Sequence, residues 1–363
     1  MKWAVQKLEE IVSIKTGKLD SNAAVPNGQY PFFTCDPQTL AINTYAYDTE
    51  AVLLAGNNAS GNYTAKYYHG KFNAYQRTYI IESIDKGKLD IHYFLYALNE
   101  QLALLKSISS GSTTKFLTMS MLKPLSVPCP TISVQHRIAS ILSAYDDLIE
   151  NNRRQIKLLE EAAQRLYREW FVELRFPGHE SVKVVDGVPE GWKKVCLKDI
   201  CETKTGKKDA NFGCDDGAYP FFTCAQAPIK APSYSFDCSA VILAGNGDFN
   251  VKLYRGKFEA YQRTYVLSPA NTEYLFLLYN AVSRNMNVLT KGASGSTIKF
   301  LTKGMIDSIE LLIPSSQLLT TYNQNSEALQ KSIEALHRKV ALAVEARDRL
   351  LPKLMNSEME ELL

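Results

Sequence analysis

Two hydrophobic periods alternate along this chain. Short apolar runs, Ala51-Val52-Leu53-Leu54-Ala55 and Ala240-Val241-Ile242-Leu243-Ala244, end in Gly-Asn turns and predict buried strands. Thr78-Tyr79-Ile80-Ile81 and Thr264-Tyr265-Val266-Leu267 predict two more. Residues 91–108, with Tyr93, Leu95, Tyr96, Leu102 and Leu105, predict a helix that is echoed over residues 274–289. A stricter rhythm follows: Ile138, Leu142, Tyr145, Ile149, Asn152, Ile156, Leu159, Ala163, Leu166 and Trp170 are spaced alternately four and three apart, with charged residues between them. That is an a/d heptad seam. The same alternation returns in Tyr322, Ser326, Leu329, Ile333, Leu336, Val340, Ala343, Arg347 and Leu350, and Pro352 is expected to stop that helix. Asn152 breaks the apolar seam and reads equally as a register-fixing residue or as one tolerated beside water.

Everything in this pattern occurs twice because the sequence is written twice. Gly70-Lys71-Phe72-Asn73-Ala74-Tyr75-Gln76-Arg77-Thr78-Tyr79 returns as Gly256-Lys257-Phe258-Glu259-Ala260-Tyr261-Gln262-Arg263-Thr264-Tyr265. Thr16-Gly17-Lys18 returns as Thr205-Gly206-Lys207, Tyr30-Pro31-Phe32-Phe33-Thr34-Cys35 as Tyr219-Pro220-Phe221-Phe222-Thr223-Cys224, and Lys115-Phe116-Leu117-Thr118 as Lys299-Phe300-Leu301-Thr302. The offset that aligns Lys115 with Lys299 also sets Leu142 on Ser326, Ile149 on Ile333, Ile156 on Val340 and Leu166 on Leu350. The helix therefore belongs to the repeat, and each repeat is large enough to be a domain.

The expected fold is α+β: two similar mixed α/β heads joined by two long antiparallel coiled-coil helices with pseudo-two-fold symmetry. The expected divisions are residues 1–133 (first head), 134–175 (first helix), 176–191 (a turn-rich linker), 192–314 (second head) and 315–363 (second helix). From Gln135 to Phe171 the first helix would run roughly 55 Å at about 1.5 Å per residue. Packing of each helix on its own head is the alternative.

Composition narrows the function. The first ten residues lack a signal-peptide core and no apolar run reaches bilayer length, so a cytoplasmic chain with no membrane partner is expected. Seven cysteines, odd in number and without a C-x-x-C pair, suggest neither a disulfide framework nor a zinc site. A net charge of +3 does not by itself announce a nucleic-acid partner. No P-loop, dinucleotide fingerprint, H-E-x-x-H or G-x-S-x-G is present. None of the five histidines recurs in the other repeat, and Asp48 with Glu50 finds no repeated acidic pair around Asp237. No catalytic residue, metal site or cofactor is assigned to the chain.

What recurs is polar and basic residues at turns. Arg reads guanine edges and Gln adenine edges, whereas Lys, Ser and Thr mostly hold phosphates. The candidate DNA contacts are Lys15, Lys18, Asn57, Lys71, Tyr75, Gln76, Arg77, Thr78, Ser112 and Lys115 in the first head. Their counterparts are Lys204, Lys207, Asn246, Lys257, Tyr261, Gln262, Arg263, Thr264, Ser296 and Lys299. Strand alternation over residues 75–79 would put Gln76 and Thr78 on one face and Tyr75, Arg77 and Tyr79 on the other. Equally, the tyrosines are core and Arg77 caps a buried carboxylate. Candidate partner-binding positions on the helices are Ile149, Ile156, Leu159, Leu166, Ile333, Leu336, Val340 and Leu350.

The order head, helix, head, helix resembles the specificity subunit of type I restriction-modification enzymes. The likeness is carried by Gln135-His136-Arg137-Ile138-Ala139, Ile149-Glu150-Asn151-Asn152-Arg153-Arg154, Lys157-Leu158-Leu159-Glu160-Glu161-Ala162-Ala163-Gln164 and Phe176-Pro177-Gly178, with Val188-Pro189-Glu190-Gly191-Trp192 and Arg347-Asp348-Arg349-Leu350-Leu351-Pro352-Lys353-Leu354. The resemblance implies a non-catalytic DNA-reading chain. Each head would be a target recognition domain for one half of a bipartite site in double-stranded DNA. The helices would dock two methyltransferase subunits, with restriction subunits in the full complex. S-adenosylmethionine would sit on the modification subunit, and ATP with magnesium on the restriction subunit. Two alternatives stand beside it: the recognition part of a single-chain restriction-methylation enzyme, and a coiled-coil scaffold with no DNA role.

Overall fold

The computed structural model describes residues 3–109, 114–293 and 299–356. The chain divides into two units, Met1–Asn152 with Arg338–Leu363, and Arg153–His337. The candidates Ser112 and Ser296 lie outside the described residues.

In the first unit, β1 (Val12–Thr16), β2 (Tyr30–Phe33), β3 (Leu40–Ile42), β4 (Tyr47–Ala55), β5 (Ala65–Ala74) and β6 (Thr78–Ser83) form one sheet in the order β1-β6-β4-β5-β2-β3. All neighbours are antiparallel except β2 and β5, which pair parallel through Phe32↔Asn73 and Phe33↔Ala74. The apolar run in β4 is continuous because both faces of the strand are covered. Ala51 and Leu53 join Phe33, Phe72, Ala74 and Ile80 in a small core. Val52 and Leu54 face the larger core, which holds Tyr79, Ile81, Tyr93 and Phe94. Gly70 takes φ +133° inside β5, a value that a side chain would oppose.

The second unit repeats this plan. β7 (Cys201–Thr205), β8 (Tyr219–Phe222), β9 (Ile229–Ala231), β10 (Phe236–Ala244), β11 (Val251–Ala260) and β12 (Thr264–Pro269) stand in the matching order β7-β12-β10-β11-β8-β9. Ala240 and Ile242 face one core while Val241 and Leu243 face the other. The mixed α and β heads expected from the repeat are therefore present in both units.

The helix expected over residues 91–108 is two, α1 (Ile91–Asn99) and α2 (Leu102–Ile108). Asp90 caps α1, accepting from the N–H groups of His92 and Tyr93 at 2.7 and 2.9 Å. At the break the Gln101 N–H reaches back only three residues, to the Leu98 carbonyl at 2.9 Å, which tightens the turn and redirects the chain.

The heptad seams become α3 (Ile132–Phe171) and, after the uninterrupted α4 (Leu275–Gly292) of the second head, α5 (Ser316–Met355). Each unit contains the beginning of one long helix and the end of the other. In the first, Ile138 and Leu142 share a core with Leu350, Leu354 and Met355. In the second, Trp170 and Phe171 pack on Tyr322 with ring centres 5.9 and 4.8 Å apart. Phe176 and Trp192 extend that aromatic cluster, 4.7 Å apart. The pairing is antiparallel within each unit.

Pro352 does not stop α5. The helix continues to Met355, because Leu354 and Met355 are buried at 1% and 3% exposure and the Trp3 indole donates to the Leu354 carbonyl at 3.1 Å. Burial of two side chains outweighs the missing N–H so close to the helix end. Asn152 is buried, and its amide nitrogen has no hydrogen-bond partner among the described residues.

The heads are fastened to the helices differently. In the first unit Asp146 of α3 accepts from the Tyr96 hydroxyl of α1 at 2.7 Å and from Arg347 of α5 at 2.6 Å. The equivalent residues in the second unit are Gln330, Asn280 and Ala163, and all three line an open cleft of about 1020 Å³. Across that cleft Arg255 of β11 holds Glu327 of α5 through two bonds, at 3.0 and 2.8 Å. Asp146→Ala leaves the Tyr96 hydroxyl without its acceptor, while Arg347 keeps Asp348 at 2.8 Å, and should lower stability by about 1–3 kcal/mol. Gln330→Ala should change it by less than about 0.5 kcal/mol, both measured by urea unfolding.

Candidate nucleic-acid interface

One end of each sheet gathers the repeated turns, through backbone bonds that match in the two units. The Gly56 N–H donates to the Arg77 carbonyl at 2.8 Å, and the Gly245 N–H to the Arg263 carbonyl at 2.8 Å. Thr78 N–H closes on Tyr75, and Thr264 N–H on Tyr261, each at 2.8 Å. The Gln76 N–H reaches the Leu19 carbonyl and the Gln262 N–H the Lys208 carbonyl, both at 2.9 Å. A thiol adds to each turn: Cys35 Sγ lies 3.5 Å from the Arg77 carbonyl oxygen and Cys224 Sγ 3.7 Å from that of Arg263. The glycines are required by space. A Cβ on Gly17 or Gly206 would stand 2.2 or 1.9 Å from the carbonyl oxygen of Ala74 or Ala260, and one on Gly56 or Gly245 would stand 2.4 Å from that of the arginine.

The Lys115-Phe116-Leu117-Thr118 motif is brought to the same place. Leu117 N–H donates to the Gly56 carbonyl at 2.8 Å and its own carbonyl accepts from the Tyr79 hydroxyl at 2.8 Å. Leu301 repeats this with Gly245 and Tyr265, at 2.8 and 2.9 Å. In the first unit the result is a recess of about 350 Å³ lined by Thr16, Gly56, Gln76, Arg77, Tyr79 and Leu117.

Residues 75–77 are a turn, not strand, so the expected alternation of faces does not apply. Gln76, Arg77, Gln262 and Arg263 are exposed at the turn tips. Arg77 caps no buried carboxylate among the described residues. Tyr75 and Tyr261 are half-buried. Thr78 and Thr264 are 1% and 0% exposed, so they are withdrawn from any contact surface. The Thr78 hydroxyl donates to the Phe33 carbonyl at 3.2 Å.

Several of the polar candidates are partly engaged inside the protein. Lys15 pairs with Glu82 at 2.7 Å and Lys204 with Glu202 at 2.8 Å. Burial pushes the Glu82 carboxyl up, but bonds from Lys15 and Thr49 outweigh it and hold the group below its ordinary range. Gln262 donates to Asp209 at 3.2 Å. Asn246 accepts from the Cys224 thiol at 2.9 Å, whereas the equivalent Asn57 oxygen has no partner among the described residues. Lys115 is half-buried, while Lys18, Lys207 and Lys299 are exposed. Lys71 and Lys257 lie over tyrosine rings, and the hydroxyls of Tyr45 and Tyr234 raise their ammonium pKa values.

Those rings, Tyr45 and Tyr234, were not among the sequence candidates, although both recur. On the long helices Ile149, Ile156, Leu159, Leu166, Ile333, Leu336, Val340 and Leu350 are all buried or half-buried, so they hold the seam. Among the outward apolar residues, Leu158 and Leu342 occupy equivalent positions and are 64% and 65% exposed, whereas Leu148, 46% exposed, has Ser332 as its counterpart. Among the described residues no helix is long and apolar enough to cross a membrane, and no group of three His, Cys, Asp or Glu side chains is placed to hold a metal ion.

A family model described as the type I restriction modification DNA specificity domain matches residues 1–161 and again residues 189–345. The specificity subunit of the type I restriction enzyme EcoDI from Escherichia coli is 39% identical over 178 residues, 47% of this chain and 39% of that protein. The alignment thus spans about two-fifths of that relative's length. The MjaIX specificity subunit of Methanocaldococcus jannaschii is 26% identical over 294 residues, 74% of this chain and 68% of that one. The crystal structure of a type I restriction-modification S subunit from M. genitalium shares the fold, with a TM-score of 0.66 at 18% identity, over 97% of this chain and 96% of that one.

The exposure of the two turn arginines sets a first requirement. Arg77→Ala and Arg263→Ala should each leave stability within about 0.5 kcal/mol of the parent. Gly56→Ala, which drives a methyl group into the Arg77 carbonyl, should cost about 1–3 kcal/mol in the same thermal or urea unfolding measurement.

Proposed function

The chain belongs to the type I restriction-modification DNA specificity family, and from that premise we propose that it reads a bipartite DNA site, one half per head, while its helices carry two methyltransferase subunits. The observation that supports this most is the duplicated turn. In both units backbone bonds fix the turn, so the Gln76-Arg77 and Gln262-Arg263 side chains are left exposed. A guanidinium with a fixed backbone is suited to bidentate contact with guanine, and the neighbouring amide to adenine. Exposed Lys18 and Lys207, one residue from the close-packed Gly17 and Gly206, supply charge for adjacent phosphates.

Leu158 and Leu342 give the long helices equivalent outward apolar residues. Two equivalent surfaces suit two copies of one partner. The methyl donor, S-adenosylmethionine, then reaches the DNA through the modification subunits, and ATP with magnesium acts through restriction subunits. This chain contributes selection of the site.

Mapping of methylated sites in cells carrying the chain and its methyltransferase tests the reading. The parent motif should show two half-sites of inverted similarity around an unread middle. Arg77→Ala should relax one half-site and Arg263→Ala the other, each at a cost of about 1–3 kcal/mol in affinity for the parent sequence. Half-sites without inverted similarity would reduce the shared turn residues to scaffold.

The helices give a separate test. Replacing Leu159 and Leu336 by Asp buries two charges in the seam and should abolish assembly with the methyltransferase, read by size-exclusion chromatography. A complex of normal mass that still methylates its site would refute the role of the paired helices.

A further inference from the structure

A second surface cluster is also built twice, away from the glycine-rich turns. The rings of Tyr30 and Tyr45 lie 5.0 Å apart at 57°, and those of Tyr219 and Tyr234 lie 4.8 Å apart at 56°. The Lys71 ammonium stands 4.7 Å above Tyr45, and that of Lys257 stands 4.8 Å above Tyr234. The β4–β5 register sets Asp48 opposite Lys71, and the β10–β11 register sets Asp237 opposite Lys257. Each lysine thus stands over a ring, with an aspartate opposite it on the neighbouring strand, and remains exposed.

The local sequence argues that the rings serve more than the loop. Tyr45 is flanked by Asn43-Thr44 and Ala46, whereas Tyr234 is flanked by Pro232-Ser233 and Ser235. The neighbours changed while the tyrosine stayed, 45% exposed in one head and 40% in the other. A loop whose only task is to cover the sheet edge has no need to hold a large ring in water. Lys71 precedes Gln76 by five residues, at most about 17 Å of extended chain. That is within a few base pairs of any base touched at the turn, given about 3.4 Å of rise per base pair.

The geometry points to a duplicated clamp for the DNA sugar-phosphate backbone, formed by Tyr30, Tyr45 and Lys71 in one head and by Tyr219, Tyr234 and Lys257 in the other. The ammonium and the tyrosine hydroxyls donate to phosphate oxygens, and the exposed ring packs on deoxyribose. Such contacts carry no base information. They hold each half-site against its reading turn, and the inference rests on the reading of the heads as DNA-recognition domains.

The test uses the complex assembled with its methyltransferase subunits, and two duplexes, one containing the methylated motif and one lacking it. Tyr45→Ala with Tyr234→Ala should weaken binding to both duplexes by a similar factor, about tenfold, and leave the methylated motif unchanged. Lys71→Ala and Lys257→Ala should each reduce the slope of log affinity against log salt by about 0.9. Tyr45→Phe with Tyr234→Phe retains the ring packing and removes only the hydroxyl, so it and the lysine variants carry the test if the alanine variant unfolds. Parent-like affinity and salt slope in folded tyrosine and lysine variants would overturn the clamp and leave the clusters as loop fastenings. A changed motif would overturn it too, by showing base readout. These results leave the wider reading standing, because the parent complex still selects its motif. A parent complex that binds neither duplex would sink both.

Discussion

Neither long helix can stand alone in water. An amphipathic helix of this length exposes an apolar stripe that only another surface can cover, and most of a helix's stability in a protein comes from packing of that stripe. In each unit the beginning of one helix meets the end of the other, with Ile138 and Leu142 against Leu350 and Leu354, or Trp170 and Phe171 against Tyr322. The same burial carries α5 through Pro352 to Met355. Each head is joined to this packing through its own core: α1 contributes Tyr93 and Phe94 in the first unit, and α4 contributes Phe276 and Leu277 in the second.

At the opposite extreme from the buried seam, the turns owe their shape chiefly to backbone hydrogen bonds. Gly17 and Gly56 let three stretches of chain approach closer than a Cβ permits, and the Arg77 carbonyl collects the Gly56 N–H and the Cys35 thiol. Because the main chain satisfies itself, the Gln76 and Arg77 side chains carry no structural duty and remain available. Thr78 shows the other outcome, since its hydroxyl is used to bind Phe33 and its surface is lost.

The sequence made the large features readable because they follow from periodicity. The two seams, the strands and the duplication of head and helix all have regular spacing, and the structure shows them. Features decided by tertiary contact were not readable. Residues 75–77 resemble strand in composition, yet their partners are Leu19, Phe33 and Gly56, which are remote in sequence. The break at Glu100 has no glycine or proline to mark it, and Pro352 looks like a terminus until the burial of Leu354 is seen. Tyr45 and Tyr234 were legible in principle, since both recur, but their neighbours differ and hide the match. For the candidate site, the repeat located the turns correctly, while burial separates Arg77, at the surface, from Thr78, inside.

Duplication leaves each copy free to drift, and the fastenings record it. Tyr96, Asp146 and Arg347 tie the first head to its helices, whereas Asn280, Gln330 and Ala163 occupy the same positions in the second and leave a cleft bridged by Arg255 and Glu327. The two heads are consequently not interchangeable modules, despite their common strand order. A first head moved onto the second helix ends would bring Tyr96 to a site where Gln330 stands in place of Asp146. A second head moved the other way would bring Arg255 to a helix that offers Ser143 where Glu327 stood. Recombination that exchanges heads alone therefore inherits mismatched joints, and exchange that carries the adjoining helix segments with each head does not.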